Sequence, residues 1–245
     1  MLRIMGHRGA KNEAPENTLA GFRHARAIGL EAVEFDVRLA RDREIVVIHD
    51  DTVDRTTTSS GLVSDLTASE LADLDARATF PDWPERVGVP TLGAVLDVVA
   101  PLPVFQIEIK SDTDERLEEI VAGVLALLRA RSLERQAILT SFNPVALEAV
   151  RRLAPEQQRA YINGYEDADA LDTALRLGCT QANFFRMTSS PPETEAMIGR
   201  AREAGLRIGG GTCNDAEALQ RVRAWGADLI GSDVPTEMLR LQAGQ

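Results

Sequence analysis

Residues 27–35 read AIGLEAVEF: the last turn of a helical pattern, a glycine, a short apolar step and a β-rich run. Glycine is a common stop signal, because the residue after a helix often takes a left-handed conformation that glycine adopts without steric cost. The same cadence returns as RLGCTQANF at 176–184, EAGLRIGG at 203–210 and AWGADLIG at 224–231. A helix feeding at once into a strand, repeated along a chain, is the pattern of a parallel sheet whose crossovers are helices.

The pattern extends outward from these four units in both directions. Apolar strand candidates fall at 2–6, 32–37, 104–109, 137–141, 159–162, 181–185, 206–210 and 228–231. Helical patterns lie between them at 17–28, 92–99, 114–131, 144–153, 168–177, 193–204 and 215–225, with a last one near 235–241. Asn17 and Asp114 suit N-cap positions, and Pro144 and Pro235 suit first helical turns. Eight such units in 245 residues predict one α/β domain, a closed (β/α)₈ barrel, because an open doubly wound sheet usually has fewer strands. Residues 38–90 break the cadence. They hold a β-like run at 44–48, His49-Asp50-Asp51, a Thr/Ser/Gly tract and a short helix near 68–76, which predicts a small insertion between strand 2 and helix 2.

Composition narrows the function. The net charge is −11 and no basic stretch carries interleaved aromatics, so nucleic acid is not an expected partner. No apolar run is long enough to span a bilayer, so no membrane insertion is expected. Met-Leu-Arg-Ile-Met reaches a Gly-His-Arg-Gly turn with no room for a signal peptide. Cys179 and Cys213 are too few for a disulfide framework and lack metal-ligand spacing. Both features suggest a cytoplasmic setting. The readable helical faces are polar and charged, which leaves the oligomeric state open. Of 27 basic residues only Lys11 and Lys110 are lysines.

In a barrel of this kind the site lies at the C-terminal ends of the strands. Strand 1 ends in Gly6-His7-Arg8-Gly9; strand 2 contains Glu34-Phe35-Asp36; strand 3 contains Glu108-Ile109-Lys110. Period-2 geometry puts Glu34 and Asp36 on one face, with Phe35 on the other. Barrel interiors are normally filled by Val, Ile and Leu, so inward carboxylates need a counter-charge. Three carboxylates without cysteine or a histidine pair at close spacing suit one hard divalent cation, Mg²⁺ or Ca²⁺. Arg8 and Lys110 suit a phosphate, and His7 with the insertion's His49 suits acid–base work near neutral pH. A lone histidine after a strand is more often structural, so His49 draws its weight from this company. His24 reads as a solvated surface residue and Lys11 as a loop charge.

HRG at 7–9, PENT at 15–18, EFDV at 34–37, IVVIHDDTVDRTT at 45–57, IEIK at 107–110 and the closing GADLIGSDVP occur in order along nearly the whole chain. Taken together they resemble the glycerophosphodiester phosphodiesterase family. The resemblance implies a (β/α)₈ barrel with the same insertion, acting on a small-molecule phosphodiester to give an alcohol and glycerol 3-phosphate. It implies that His7 and His49 are the acid–base pair and that Arg8 and Lys110 hold the phosphate. Glu34, Asp36 and Glu108 would be the metal ligands, and Glu16 and Asn17 would support the first loop, Asn17 also capping helix 1. One departure stands out. Where the family usually has Trp-Thr-x-Asn, this chain has Gly211-Thr212-Cys213-Asn214. Asn214 keeps its place at the substrate end, while the missing aromatic wall would fall to Phe184, to Phe185 or to Phe22. The widened pocket leaves open a different polyol or sugar phosphodiester, or a lyase-type reaction that stops at a cyclic phosphate.

Overall fold

β2 (Ala32–Leu39) shows how the chain builds its barrel: the side chains of Phe35 and Val37 enter the layer between strands and helices, while Glu34 and Asp36 face inward. Phe35 packs edge-on to Phe22, with ring centroids 5.4 Å apart, and stacks on Phe105 at 6.0 Å. In the computed structural model, which describes residues 2–165, 168–185 and 191–244, β1 (Arg3–Gly6) pairs in parallel with β2 through Met5 and Ala32. The sheet continues from β2 through β4 (Val104–Ile109), β5 (Ala137–Ser141), β6 (Arg159–Asn163), β7 (Gln181–Phe184), β8 (Arg207–Gly210) and β9 (Leu229–Ser232). β9 returns to β1 with Ile230 beside Ile4, so eight parallel strands close on themselves.

Helices cover the outside: α1 (Leu19–Ala27), α3 (Leu92–Val99), α4 (Asp114–Arg131), α5 (Pro144–Leu153), α6 (Ala168–Arg176), α7 (Pro191–Glu203), α8 (Ala216–Ala224) and α9 (Pro235–Gln242). The strand and helix positions expected from the cadence hold to within two residues, but two caps do not. Thr18, not Asn17, caps α1 by accepting from Gly21 N, and Thr113, not Asp114, caps α4 by accepting from Arg116 N. Asn17 instead sits at φ 54°, a left-handed conformation that asparagine tolerates better than most residues. Its amide turns inward to donate to Asp36 Oδ2 at 2.8 Å.

The insertion lies between β2 and α3. β3 (Ile45–Val47) runs antiparallel to β2, with Val47 opposite Val37. α2 (Ala68–Ala72) carries a capping box from Thr67 and Glu70. It stops short of the expected end at 76 because Ala76 N–H bonds Val87 O and turns the chain away. Val46, Ile48, Val53, Val63, Leu71 and Val89 give the insertion an apolar cluster of its own. Removing the β2 anchor should be felt throughout: Phe35→Ala is expected to lower stability by about 3–5 kcal/mol, read as a shift of the urea midpoint.

Candidate active site

Met5, Ala32, Val104, Ile138, Ala160 and Leu229 form an apolar cluster at the N-terminal end of the strands. One layer up the interior turns polar: Asn183 Nδ2 donates to Gln106 Oε1 at 3.0 Å, and Gln181 Nε2 donates to Asn183 Oδ1 at 2.6 Å. Above it, at the C-terminal mouth, lies a cavity of about 230 Å³. Both His7 and His49 line it, as do Arg8, Glu34, Glu108 and Lys110. The turn that presents His7 and Arg8 is tight. A Cβ on Gly6 would lie 1.8 Å from Gly9 O, so only glycine fits there.

Glu34, Asp36 and Glu108 each offer a carboxylate oxygen within 4.8 Å of the others, and all three are buried. Burial and mutual repulsion set their ionisation. Glu34 is pushed well above the usual carboxylate range by burial, then by Asp36 and Glu108. Glu108 rises to about 7, again through burial first and Asp36 second. Asp36 goes the other way: burial would raise it, but Lys110, Arg8 and His49, together with the Asn17 amide, hold it below the ordinary range. Lys110 Nζ lies 2.9 Å from Asp36 and 2.6 Å from Glu108, and Arg8 donates its backbone N–H to Glu34 Oε2 at 3.0 Å. Carboxyl groups that resist ionisation because they are buried and crowd one another suit a hard divalent cation, whose charge offsets both effects.

The two histidines are oriented alike. His7 Nδ1 lies 2.6 Å from Asp233 Oδ1, and its Nε2 is 3.9 Å from Glu34 Oε2. His49 Nδ1 lies 2.5 Å from Asp50 Oδ1. Asp233 and Asp50 are both held down to about 2: burial opposes this, and a histidine hydrogen bond favours it in each, joined at Asp50 by Arg55. Ionised carboxylates only accept, so each Nδ1 carries the hydrogen and each Nε2 is left for chemistry. His49 is itself lowered, chiefly by burial, with Lys110 and Arg8 adding to the effect and Asp36 opposing it.

The mouth thus gathers seven of the residues expected there: His7, Arg8, Glu34, Asp36, His49, Glu108 and Lys110. Two others have different surroundings. Asn214 is turned to Asp233, donating to its Oδ2 at 3.0 Å and accepting from its backbone N–H at 2.8 Å, so its amide holds the partner of His7. Phe184 touches the cavity, but its ring is buried in the strand–helix layer against Tyr165, at 4.5 Å. The exposed aromatics at the mouth are Phe185 and Phe142, edge-on at 5.1 Å. Phe22 is fully buried behind β2. Lys11 lines the cavity instead of being a plain loop charge, and His24 meets Glu13 at 3.1 Å. Asp233 and Asp50 were missed as histidine partners. The signal for Asp233 was present, since period 2 from Gly231 points it inward.

A (β/α)₈ barrel with carboxylates, paired cations and two aspartate-backed histidines at its mouth has the makings of an enzyme acting on phosphoric esters. Residues 7–237 match the model of the Glycerophosphoryl diester phosphodiesterase family, and the chain belongs to that family. It is 30% identical over 239 residues to a glycerophosphodiester phosphodiesterase of Caldanaerobacter subterraneus, covering 97% of this chain and 96% of the other. A glycerophosphodiester phosphodiesterase of Bacillus subtilis is 29% identical, covering 98% of this chain and 86% of its own length. Among solved structures, an Oleispira antarctica phosphodiesterase in complex with the product sn-glycerol-3-phosphate superposes with a TM-score of 0.87. It is 26% identical, with 97% of this chain and 95% of that one covered.

The Asp233 geometry makes one check possible. Because its carboxyl falls from the ordinary 3.8 to about 2 on folding, its contribution to stability is present above about pH 4 and is lost as pH falls through about 2. Asp233→Asn is expected to flatten acid denaturation in that window, measured as unfolding midpoint against pH.

Proposed function

We propose that the protein hydrolyses glycerophosphodiesters to an alcohol and glycerol 3-phosphate at this mouth, in a reaction that needs a divalent cation. The observation that carries the reading is the pairing of two aspartate-backed histidines with the carboxylate triad in one cavity. Glu34, Asp36 and Glu108 would hold the cation, Mg²⁺ or Ca²⁺. When bound, it would supply positive charge that favours deprotonation of the attacking hydroxyl and stabilises the charge developing in the transition state.

The remaining steps fall to the chain's own residues. Arg8 and Lys110 face the non-bridging phosphate oxygens, Arg8 as a planar fork and Lys110 as a point charge. One histidine takes the proton of the attacking hydroxyl on its free Nε2, while the other, protonated, delivers a proton to the leaving alcohol oxygen. Asp233 and Asp50 keep each ring turned to the cavity and stabilise the imidazolium form. Where the attacking group is the substrate's own glycerol hydroxyl, a cyclic phosphate forms first and water then opens it with the two histidine roles reversed. The family relationship and the product-bound relative support the glycerol 3-phosphate end of the reaction. The buried thiols of Cys179 and Cys213 are free, which supports a cytoplasmic setting; among the described residues no helix is long and apolar enough to cross a membrane.

The test is hydrolysis by metal-stripped protein, with Mg²⁺ or Ca²⁺ restored, across glycerophosphocholine, glycerophosphoethanolamine, glycerophosphoinositol and sugar phosphodiesters, followed by phosphorus NMR. Metal-dependent release of glycerol 3-phosphate is the expected outcome; silence with both metals sinks the reading. His7→Ala and His49→Ala should each lower kcat by about 10²-fold or more. Metal binding should also release protons near pH 6.5, because Glu108 titrates at about 7 without it. Calorimetry in two buffers of different ionisation enthalpy reads that release directly.

A further inference from the structure

Arg55 belongs to the insertion and does not line the cavity, yet through Asp50 and Glu16 it connects two residues that do, His49 and Arg8. Its Nε donates to Asp50 Oδ2 at 2.6 Å, and the other oxygen of Asp50 holds His49 Nδ1 at 2.5 Å. Its two terminal nitrogens donate to both oxygens of Glu16, at 2.7 and 2.8 Å. Glu16 is buried, and its Oε1 also accepts from Arg8 at 2.9 Å. The result is an unbroken chain of contacts from His49 through the alternating charges of Asp50, Arg55 and Glu16 to Arg8.

We propose that Arg55 is a positioning residue for both ends of this chain, so that one guanidinium from the insertion keeps the His49 ring and the Arg8 fork in register. The inference rests on the phosphodiesterase reading given above. The loop that carries Arg55 is well held: Val53 is fully buried in the insertion's cluster, and Thr57 Oγ1 donates to Val53 O at 2.8 Å. Exposed ion pairs contribute little as a rule, but here the shared acceptor is a buried carboxylate. Without Arg55, Glu16 keeps one cation, Arg8, whose guanidinium is then drawn back toward it. Asp50 loses the donor that fixes its second oxygen, and the His49 ring is freed to turn. Lysine cannot replace the fork, because three of its contacts run in one plane to two different carboxylates.

The two branches predict separable effects. Through Asp50, Arg55 acts on proton transfer and so on kcat; through Glu16, it acts on phosphate contact and so on KM. With a diester that the wild type turns over, Arg55→Ala is expected to lower kcat by about 10- to 100-fold, the scale of a displacement of roughly 1 Å. It should also raise KM several-fold and move the melting temperature little. Arg55→Lys should not restore the activity, whereas added guanidinium should restore part of it to Arg55→Ala. Asp50→Asn should lower kcat alone, and adding Arg55→Ala to it should then raise KM without a further drop in kcat. Normal wild-type turnover with an unchanged Arg55→Ala enzyme, full recovery with lysine, or independent losses in the double variant overturns the proposal while leaving the functional reading intact. Wild-type silence on every diester overturns both. If Arg55→Ala does not fold, Arg55→Lys, alone and combined with Asp50→Asn, decides by the same kcat and KM split.

Discussion

Glu34, Asp36 and Glu108 bring three carboxyl groups within 4.8 Å of one another inside a barrel, and much of the surrounding structure answers that crowding. Charges taken out of water repel strongly, so such a cluster survives only with cations and hydrogen bonds arranged around it. Lys110 reaches Asp36 and Glu108 together, Asn17 donates to Asp36, and the Arg8 backbone donates to Glu34. Even so, two of the three stay hard to ionise. A site that holds protons against its own ordinary chemistry is poised to exchange them for a cation.

The rest of the architecture supports this cluster by separating the two faces of each strand. On β2 the outward Phe35 is locked between Phe22 and Phe105, which leaves Glu34 and Asp36 no orientation but inward. The apolar plug at one end of the barrel and the amide layer above it form the floor beneath the mouth, and the cavity opens above them where the strands end. The insertion then closes one side, delivering His49 from β3 and anchoring the mouth from outside the barrel. Its separate apolar cluster lets it act as a rigid arm and not as a loose loop.

Much of this was legible in the chain. Strand and helix positions followed from the glycine-punctuated cadence, and period 2 was enough to place Glu34 with Asp36 and Glu108 with Lys110. The misplaced caps have a local cause: Thr18 and Thr113 each follow a residue or precede one that is equally able to cap, and only backbone conformation chooses between them. Sequence position alone puts Asn214 at the substrate end, because its neighbours along the chain say nothing of Asp233, which arrives from the next strand and takes its amide. Phe184 is expected at the pocket for its position at a strand end; it does touch the cavity, but its ring packs on Tyr165 while the exposed ring at the mouth is that of Phe185.

What the sequence determined by itself was the barrel, the insertion and the identity of the charged groups at the mouth, because periodicity and strand-end position are local properties of a chain. Tertiary structure alone decided how those groups are paired. Asp233 meets His7 across 226 residues, and Arg55 reaches Glu16 across 39. Such pairs form only when barrel closure brings β9 beside β1 and the insertion folds back over the first loop. Hydrogen-bond partnership depends on distance and direction in space, and a linear pattern carries neither.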